Sequence, residues 1–333
     1  MSALVTGVAG FLGSHLAEAL IAEGHQVAGL DDLSGGFREN VPAGVRFYEG
    51  SILDTVLLQR VFTENRVRYV YHLAAYAAEG LSHFIRNYNY TNNVVGSVNV
   101  LNEAIRGGAE CFVFTSSIAV YGAGQTPFRE ETTPSPEDPY GIAKYAVELD
   151  LEAARRMFGI NYLIFRPHNV YGERQNTSDR YRNVIGIFMN QLLRGEPMTI
   201  FGDGSQTRGF TYVADVAPLM ARAASMPQVW NSVFNIGADT PVSVAELARL
   251  VSEAMGYPFR VRHLDPRQEV CHAVADHSKL AGAFHYEPRW SLPQGLARMA
   301  AWVKKVGIRR QPVFAKIELE RNLPPAWKAA GDS

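Results

Sequence analysis

The segment Thr6-Gly7-Val8-Ala9-Gly10-Phe11-Leu12-Gly13 constrains the fold of this 333-residue chain more than any other. It follows a short apolar run, Ala3 to Thr6, and opens an amphipathic stretch from Gly13 to Glu23. In a strand–turn–helix context the three glycines have separate jobs. Gly7 permits a tight turn, Gly10 lets the backbone approach a pyrophosphate, and Gly13 allows helix and strand to pack closely. The helix start, with Phe11 and Leu12, supplies unpaired N–H groups and a partial positive charge. A glycine-rich loop made only for packing is the alternative, and the context disfavours it.

The rest of the first half repeats the rhythm. Strands are expected at Ala3 to Thr6, Gln26 to Leu30, Val45 to Tyr48, Tyr69 to Leu73, Cys111 to Thr115 and Asn161 to Phe165. Helical patterns fill Gly13 to Glu23, Thr55 to Glu64, Val94 to Arg106 and Tyr140 to Phe158, with Gly24, Gly107-Gly108 and Gly159 as C-terminal stops. Such alternation predicts an α/β fold, a doubly wound parallel sheet of Rossmann type covered on both faces. The expected division is a dinucleotide-binding domain over 1–166 and a smaller α/β lobe over 167–308, interleaved with the first. An extension over 309–333, containing Pro324-Pro325, is expected to be an appendage rather than core.

Charge and cysteine content exclude several classes. A net charge of −1 offers no basic surplus for nucleic acid. Cys111 and Cys271 are the only cysteines, without metal-type His/Cys spacing, so neither a disulfide framework nor a metal site is expected. The N-terminus lacks a signal-peptide pattern, and no apolar run approaches the roughly 20 residues a membrane span needs. A cytoplasmic protein is the expectation.

Asp31 ends the second strand, where a carboxylate accepts hydrogen bonds from a ribose hydroxyl pair and repels a 2′-phosphate. NAD is therefore favoured over NADP, with Asp32, Ser34 and Gly35 in the same turn. Asp54 either reaches the adenine amino group, the preferred reading, or caps the following helix. Further along, Tyr140 and Lys144 are four apart and share one helix face. A nearby cation favours phenolate, lowering a tyrosine pKa from about 10. The pair thus offers a base near neutral pH for an alcohol whose hydride a nicotinamide accepts. Alone this spacing is weak; following the glycine turn and Ser116-Ser117, it gains weight. His15 and His72 read as structural.

Assembled, these residues resemble the extended short-chain dehydrogenase/reductase family, in its nucleotide-sugar epimerase/dehydratase branch. The resemblance spans about residues 3 to 305. It uses the glycine turn, Asp31, Leu73-Ala74-Ala75, Asn92-Asn93, Ser116 to Gly122, Tyr140 with Lys144, Arg166 to Gly172, and Ile200 through Arg208. The resemblance implies Ser117, Tyr140 and Lys144 as catalytic residues and puts Leu73, Ala74, Ala75, Asn93 and His168 on the cofactor. It implies Asn169, Arg208 and Arg267 at the substrate diphosphate, and Phe201 at its base. Arginine forks and an aromatic face suit those groups. The loop Tyr76-Ala77-Ala78-Glu79-Gly80, the Gly209 after Arg208 and the tail beyond about residue 308 depart from the family pattern.

The resemblance further implies oxidation of a sugar 4-hydroxyl. Dehydratase relatives place an Asp-Glu pair after the Ser/Thr, and decarboxylases a Glu at the second position; here stand Ile118 and Ala119, which transfer no proton. A 4-epimerase of a nucleotide sugar, UDP-linked by expectation, is favoured over dehydration, decarboxylation, ketoreduction or a non-enzymatic NAD-binding module. Apolar residues on more than one face of the helices at Val94 to Arg106 (Val94, Val98, Leu101) and Tyr140 to Phe158 (Val147, Leu151, Ala154) predict a homodimer.

Overall fold

The computed structural model describes residues 1–124, 126–179, 181, 183–266, 272–309 and 317–327. In its first half run β1 (Ser2–Thr6), α1 (Phe11–Ala22), β2 (Gln26–Asp31), β3 (Val45–Glu49), α2 (Thr55–Asn65) and β4 (Tyr69–His72). Then come α3 (Glu79–Ser82), α4 (Arg86–Tyr90), α5 (Gly96–Arg106), β5 (Cys111–Thr115), α6 (Pro139–Phe158) and β6 (Asn161–Pro167). The second half has β7 (Val170–Tyr171), α7 (Val184–Leu193), β8 (Met198–Phe201), β9 (Thr207–Gly209), β10 (Thr211–Tyr212) and α8 (Val213–Ala223). It closes with β11 (Ser232–Ile236), β12 (Pro241–Ser243), α9 (Val244–Met255), β13 (Val261–Leu264), β14 (His272–Ala273), α10 (Ser278–Phe284) and α11 (Leu292–Val306).

Seven parallel strands form the main sheet in the order β11-β6-β5-β4-β1-β2-β3. The order reverses at β1, leaving a crevice at the carboxyl ends of β1 and β4, where such sheets bind ligands. Both faces are covered, and Leu4, Val5, Val70, Val113, Phe114 and Ile164 are fully enclosed. That explains why the strands read as continuous apolar runs rather than alternating ones. Interleaving is extensive: β11 pairs with β6, and α8 packs on α1 through Leu16, Leu20, Val216 and Met220. A separate core unites α7, α9 and α11 beneath the short strand pairs of the second lobe. Among the described residues no helix is long and apolar enough to cross a membrane.

Three expectations need correction. The helix expected from Val94 starts earlier, at Arg86, and passes through a π turn over Thr91–Val95, in which Asn93 is buried, before its final α-helical stretch Gly96–Arg106. Leu101, Val147, Leu151 and Ala154, taken as surplus apolar surface, are buried within the monomer's own core. The tail is not merely an appendage: Leu323 and Trp327 are buried in a satellite core with Tyr76, Ala78, Leu81 and Ile85.

Candidate active site

A continuous cleft of about 2120 Å³ runs from the glycine turn, past the end of β5 and the start of α6, to the second lobe. It exceeds the ~1,000 Å³ upper range of an ordinary small-molecule pocket and has room for two large ligands. At one end the turn is compressed to the point where side chains cannot enter. A Cβ on Gly13 would stand 2.1 Å from the Gly7 carbonyl oxygen, and one on Gly7 (φ +74) 2.9 Å from the Ala74 nitrogen. Gly10 precedes α1 without any side-chain cap, so the first-turn N–H groups face the cleft. The buried Asp31 carboxylate accepts the Ala9 N–H at 2.9 Å and the Leu33 N–H at 2.8 Å. Burial nonetheless lifts its pKa above the ordinary aspartate value. Asp32 accepts the Ser34 N–H and hydroxyl, closing the turn that presents Ser34 and Gly35 to the cleft.

Midway stand Ser117, Tyr140 and Lys144, all on the cleft wall. Asp138 starts α6 by accepting the Gly141 N–H at 2.9 Å, with Pro139 in the first turn, so Tyr140 sits at the mouth of the helix. One turn on, Lys144 lies 5.8 Å from the centre of the Tyr140 ring and donates to the Thr115 carbonyl at 2.7 Å. Burial pulls its ammonium down to about 7, and Glu148 partly opposes the shift. Ser117 follows β5 and accepts the Ala119 N–H at 3.1 Å, opening a short 3-10 turn whose Ile118 and Ala119 also face the cleft.

Beneath this group lies a network that sequence reasoning missed. Arg166 binds Glu148 twice, at 3.0 and 2.5 Å, and donates to the Tyr121 hydroxyl at 2.7 Å. Ser116 donates to Glu148, and Tyr121 to Asn235. Burial opposes charge on Arg166, yet the Glu148 bonds hold its pKa above the ordinary value. The network ties β5, α6, β6 and β11 together under Ser117, Tyr140 and Lys144. Its signal was available: Tyr140, Lys144 and Glu148 continue one i, i+4 stripe.

Leu73, Ala74, Ala75, His168, Asn169, Phe201 and Arg208 also line the cleft. Thr6 fixes the loop after β4 by accepting the Leu73 and Ala74 N–H groups. Asn169 adopts φ 40, a conformation asparagine tolerates better than most residues. His168 is buried, 2.9 Å from His277 (Nε2 to Nε2), in a slot where a Cβ on Gly237 would be 1.9 Å away. Burial, reinforced by His277, takes its pKa down to about 3. His15 and His72 bond to protein groups, His72 to both Thr6 and Ser97. Two expected cofactor contacts stand outside the lining. Asp54 caps α2 through the Leu57 N–H at 2.9 Å. Asn93 is buried and clamps both the N–H and the carbonyl of Tyr76. Arg267 lies outside the described residues.

A switch-point crevice with a glycine cradle, a strand-end carboxylate and a Ser–Tyr–Lys group defines an extended short-chain dehydrogenase/reductase. The chain belongs to the NAD-dependent epimerase/dehydratase family, whose model matches residues 3–237. It is 34% identical over 306 residues to a putative UDP-glucose 4-epimerase of Methanocaldococcus jannaschii, covering 90% of this chain and 98% of that one. The structure of UDP-glucose 4-epimerase from Thermotoga maritima with UDP-glucose superposes with a TM-score of 0.88 at 37% identity, over 92% of this chain and 99% of that one. UDP-glucuronic acid 4-epimerase from Bacillus cereus, solved with UDP-glucuronic acid and NAD, gives 0.85 at 29% identity, over 92% and 100%. NAD is the cofactor of the family, and the residues present fit it: Gly7 and Gly13 are packed too tightly for any side chain, Gly10 brings bare backbone to the cleft, and Asp31 faces the cleft beside them.

Proposed function

We propose that this protein is a nucleotide-sugar 4-epimerase acting on a UDP-sugar, with NAD held by the Gly7–Gly13 turn, Asp31 and Lys144. The observation that supports it most is the pair Ile118 and Ala119 on the cleft wall directly after Ser117. A dehydratase or decarboxylase needs a proton-transferring acid there, and these side chains have no proton to give. Bound NAD supplies a reversible two-electron acceptor for the C4 carbon–hydrogen bond. Tyr140 takes the proton of the 4-hydroxyl and later returns it. Lys144 stabilises the tyrosine oxygen while negative, and Ser117 holds the sugar oxygen in line. A 4-keto sugar turned over in the wide cleft presents its other face for re-reduction, so no further acid is needed. Asn169, Phe201, Arg208 and Arg267 are assigned to the nucleotide. His168 and the Leu73–Ala75 loop border the nicotinamide, with Asp54 and Asn93 supporting the cofactor's loops.

A second reading has one observation in its favour: Glu79, in the loop that departs from the family pattern, also lines the cleft. It admits dehydration or decarboxylation with Glu79 as the acid; a ketoreductase or a purely NAD-binding module has no such support. A C4-deuterated UDP-sugar separates them. Epimerisation keeps deuterium at C4 of the inverted product, dehydration carries it to C6, and decarboxylation releases carbon dioxide; either of the last two would overturn the proposal. A cytoplasmic homodimer completes the reading.

A further inference from the structure

The family resemblance ends near residue 305, yet residues 317–327 return to the cleft. Their attachment is specific. The Glu318 carboxylate accepts the N–H groups of Asn87 and Tyr88, both at 2.8 Å, and the Glu318 and Leu319 N–H groups bond to the Phe84 carbonyl. Trp327 is buried edge-on against Tyr181, 5.3 Å between ring centres, and against Phe84 at 6.2 Å. A Cβ on Gly80 would meet the Trp327 indole at 3.1 Å, so the small residue in the departed loop makes room for the tail. The two stretches that differ from the family pattern therefore pack on each other. They sit close to the reactive tyrosine: Ser82 donates to Asp138, and Asn89 to the Pro139 carbonyl, one residue before Tyr140.

The side chains left facing the cleft include Arg321 and Asn322. Asn322 takes φ 64, turning the chain sharply at this point. Neither side chain has a hydrogen bond or ion pair among the described residues, whereas the Glu318 carboxylate that anchors the segment is bonded through both oxygens. Building on the epimerase reading, we propose that residues 317–327 form the sugar-side wall of the substrate site and that Arg321 and Asn322 select the sugar. A guanidinium donates and cannot accept, so it favours the stronger oxygen acceptor over a hydroxyl: a carboxylate, with which it pairs charge to charge, or the carbonyl of an N-acyl group. Anchoring by Leu323 and Trp327 makes the wall rigid, which limits the ordering cost on binding.

The test is calorimetry on NAD-loaded protein with UDP, UDP-glucose, UDP-glucuronate and UDP-N-acetylglucosamine. Wild type is expected to bind one substituted sugar at least about tenfold more tightly than UDP-glucose, and which of the two binds tighter identifies the substituent. Arg321→Ala erases that ratio while leaving UDP affinity and NAD content unchanged; Asn322→Ala reduces it. Leu323→Ala/Trp327→Ala, which frees the whole segment, lowers affinity for all three sugars relative to UDP. A ratio unaffected by Arg321→Ala, or parallel loss of UDP in every variant, overturns the wall. If the wild type binds neither UDP nor any UDP-sugar, the epimerase reading itself fails, a result separable from the first because UDP binding needs no wall.

Discussion

Tyr140 and Lys144 divide their work cleanly enough to be tested one at a time. Tyr140→Phe removes the hydroxyl and keeps the ring, so fold and NAD content persist while turnover falls at least ~10²-fold, the scale of general acid–base assistance. Steady-state rates alongside absorbance of released NAD check both halves; near-normal turnover would sink the assignment. Lys144 carries a second, thermodynamic signature. Burial holds its native pKa near 7 against an ordinary 10.5. Between those values the unfolded chain binds the extra proton, so stability rises with pH across the window. Thermal melts of NAD-free protein between pH 7 and 10 are expected to show that rise, and Lys144→Met to flatten it. The same variant is expected to lose NAD on gel filtration, because the proposal gives the ammonium a second job on the cofactor. Ser117→Ala is expected to be milder, since on the proposed mechanism it removes orientation and leaves the base.

Elements place these residues through contacts that leave little slack. The α1 start works because Gly13 has no side chain: a Cβ 2.1 Å from the Gly7 oxygen cannot be absorbed without moving the backbone. Gly13→Ala is therefore expected to cost about 1–3 kcal/mol, as overpacking does, and to release NAD. Denaturant titration and heat-release of bound nucleotide measure the two effects, and an unchanged NAD content would contradict the cradle. The Arg166–Glu148 pair makes a similar statement about α6. Glu148→Ala strands a buried guanidinium, a loss of about 3–5 kcal/mol. Over the first half, periodicity found six strands and four long helices to within a few residues; β11 and the helices of the second lobe it left open. The π turn escaped it, because a five-residue turn leaves no apolar period of its own; Asn92-Asn93 marked the place without revealing that Asn93 points inward.

At the scale of the whole molecule, we expect the uncovered apolar surface of α6 to meet a second copy of the chain. Ile142 and Leu149, seven residues and two turns apart on α6, are 40% and 47% exposed, and Val95, in the π turn that packs on α6, is 50% exposed. Those side chains, rather than the interior ones the sequence suggested, are the expected interface. Light scattering at micromolar concentration should give twice the 36.8 kDa chain mass, and Leu149→Glu should return the monomer. A monomeric wild type would remove the dimer proposal.

The sequence by itself determined the Rossmann sheet, the glycine turn, the preference for NAD and the Tyr140–Lys144 pair. Each depends on local chemistry: a backbone angle, a strand-end carboxylate, two side chains one helical turn apart. Tertiary structure alone decided what required distant segments to meet. It revealed that Asn93 clamps a loop, that Arg166 and Glu148 brace the site from two elements, and that His168 shares its slot with His277. It also brought Trp327 to Gly80 across nearly 250 positions of chain. No short window encodes such a meeting, because the free energy that holds it comes from burying two surfaces that become neighbours only once the sheet between them has formed.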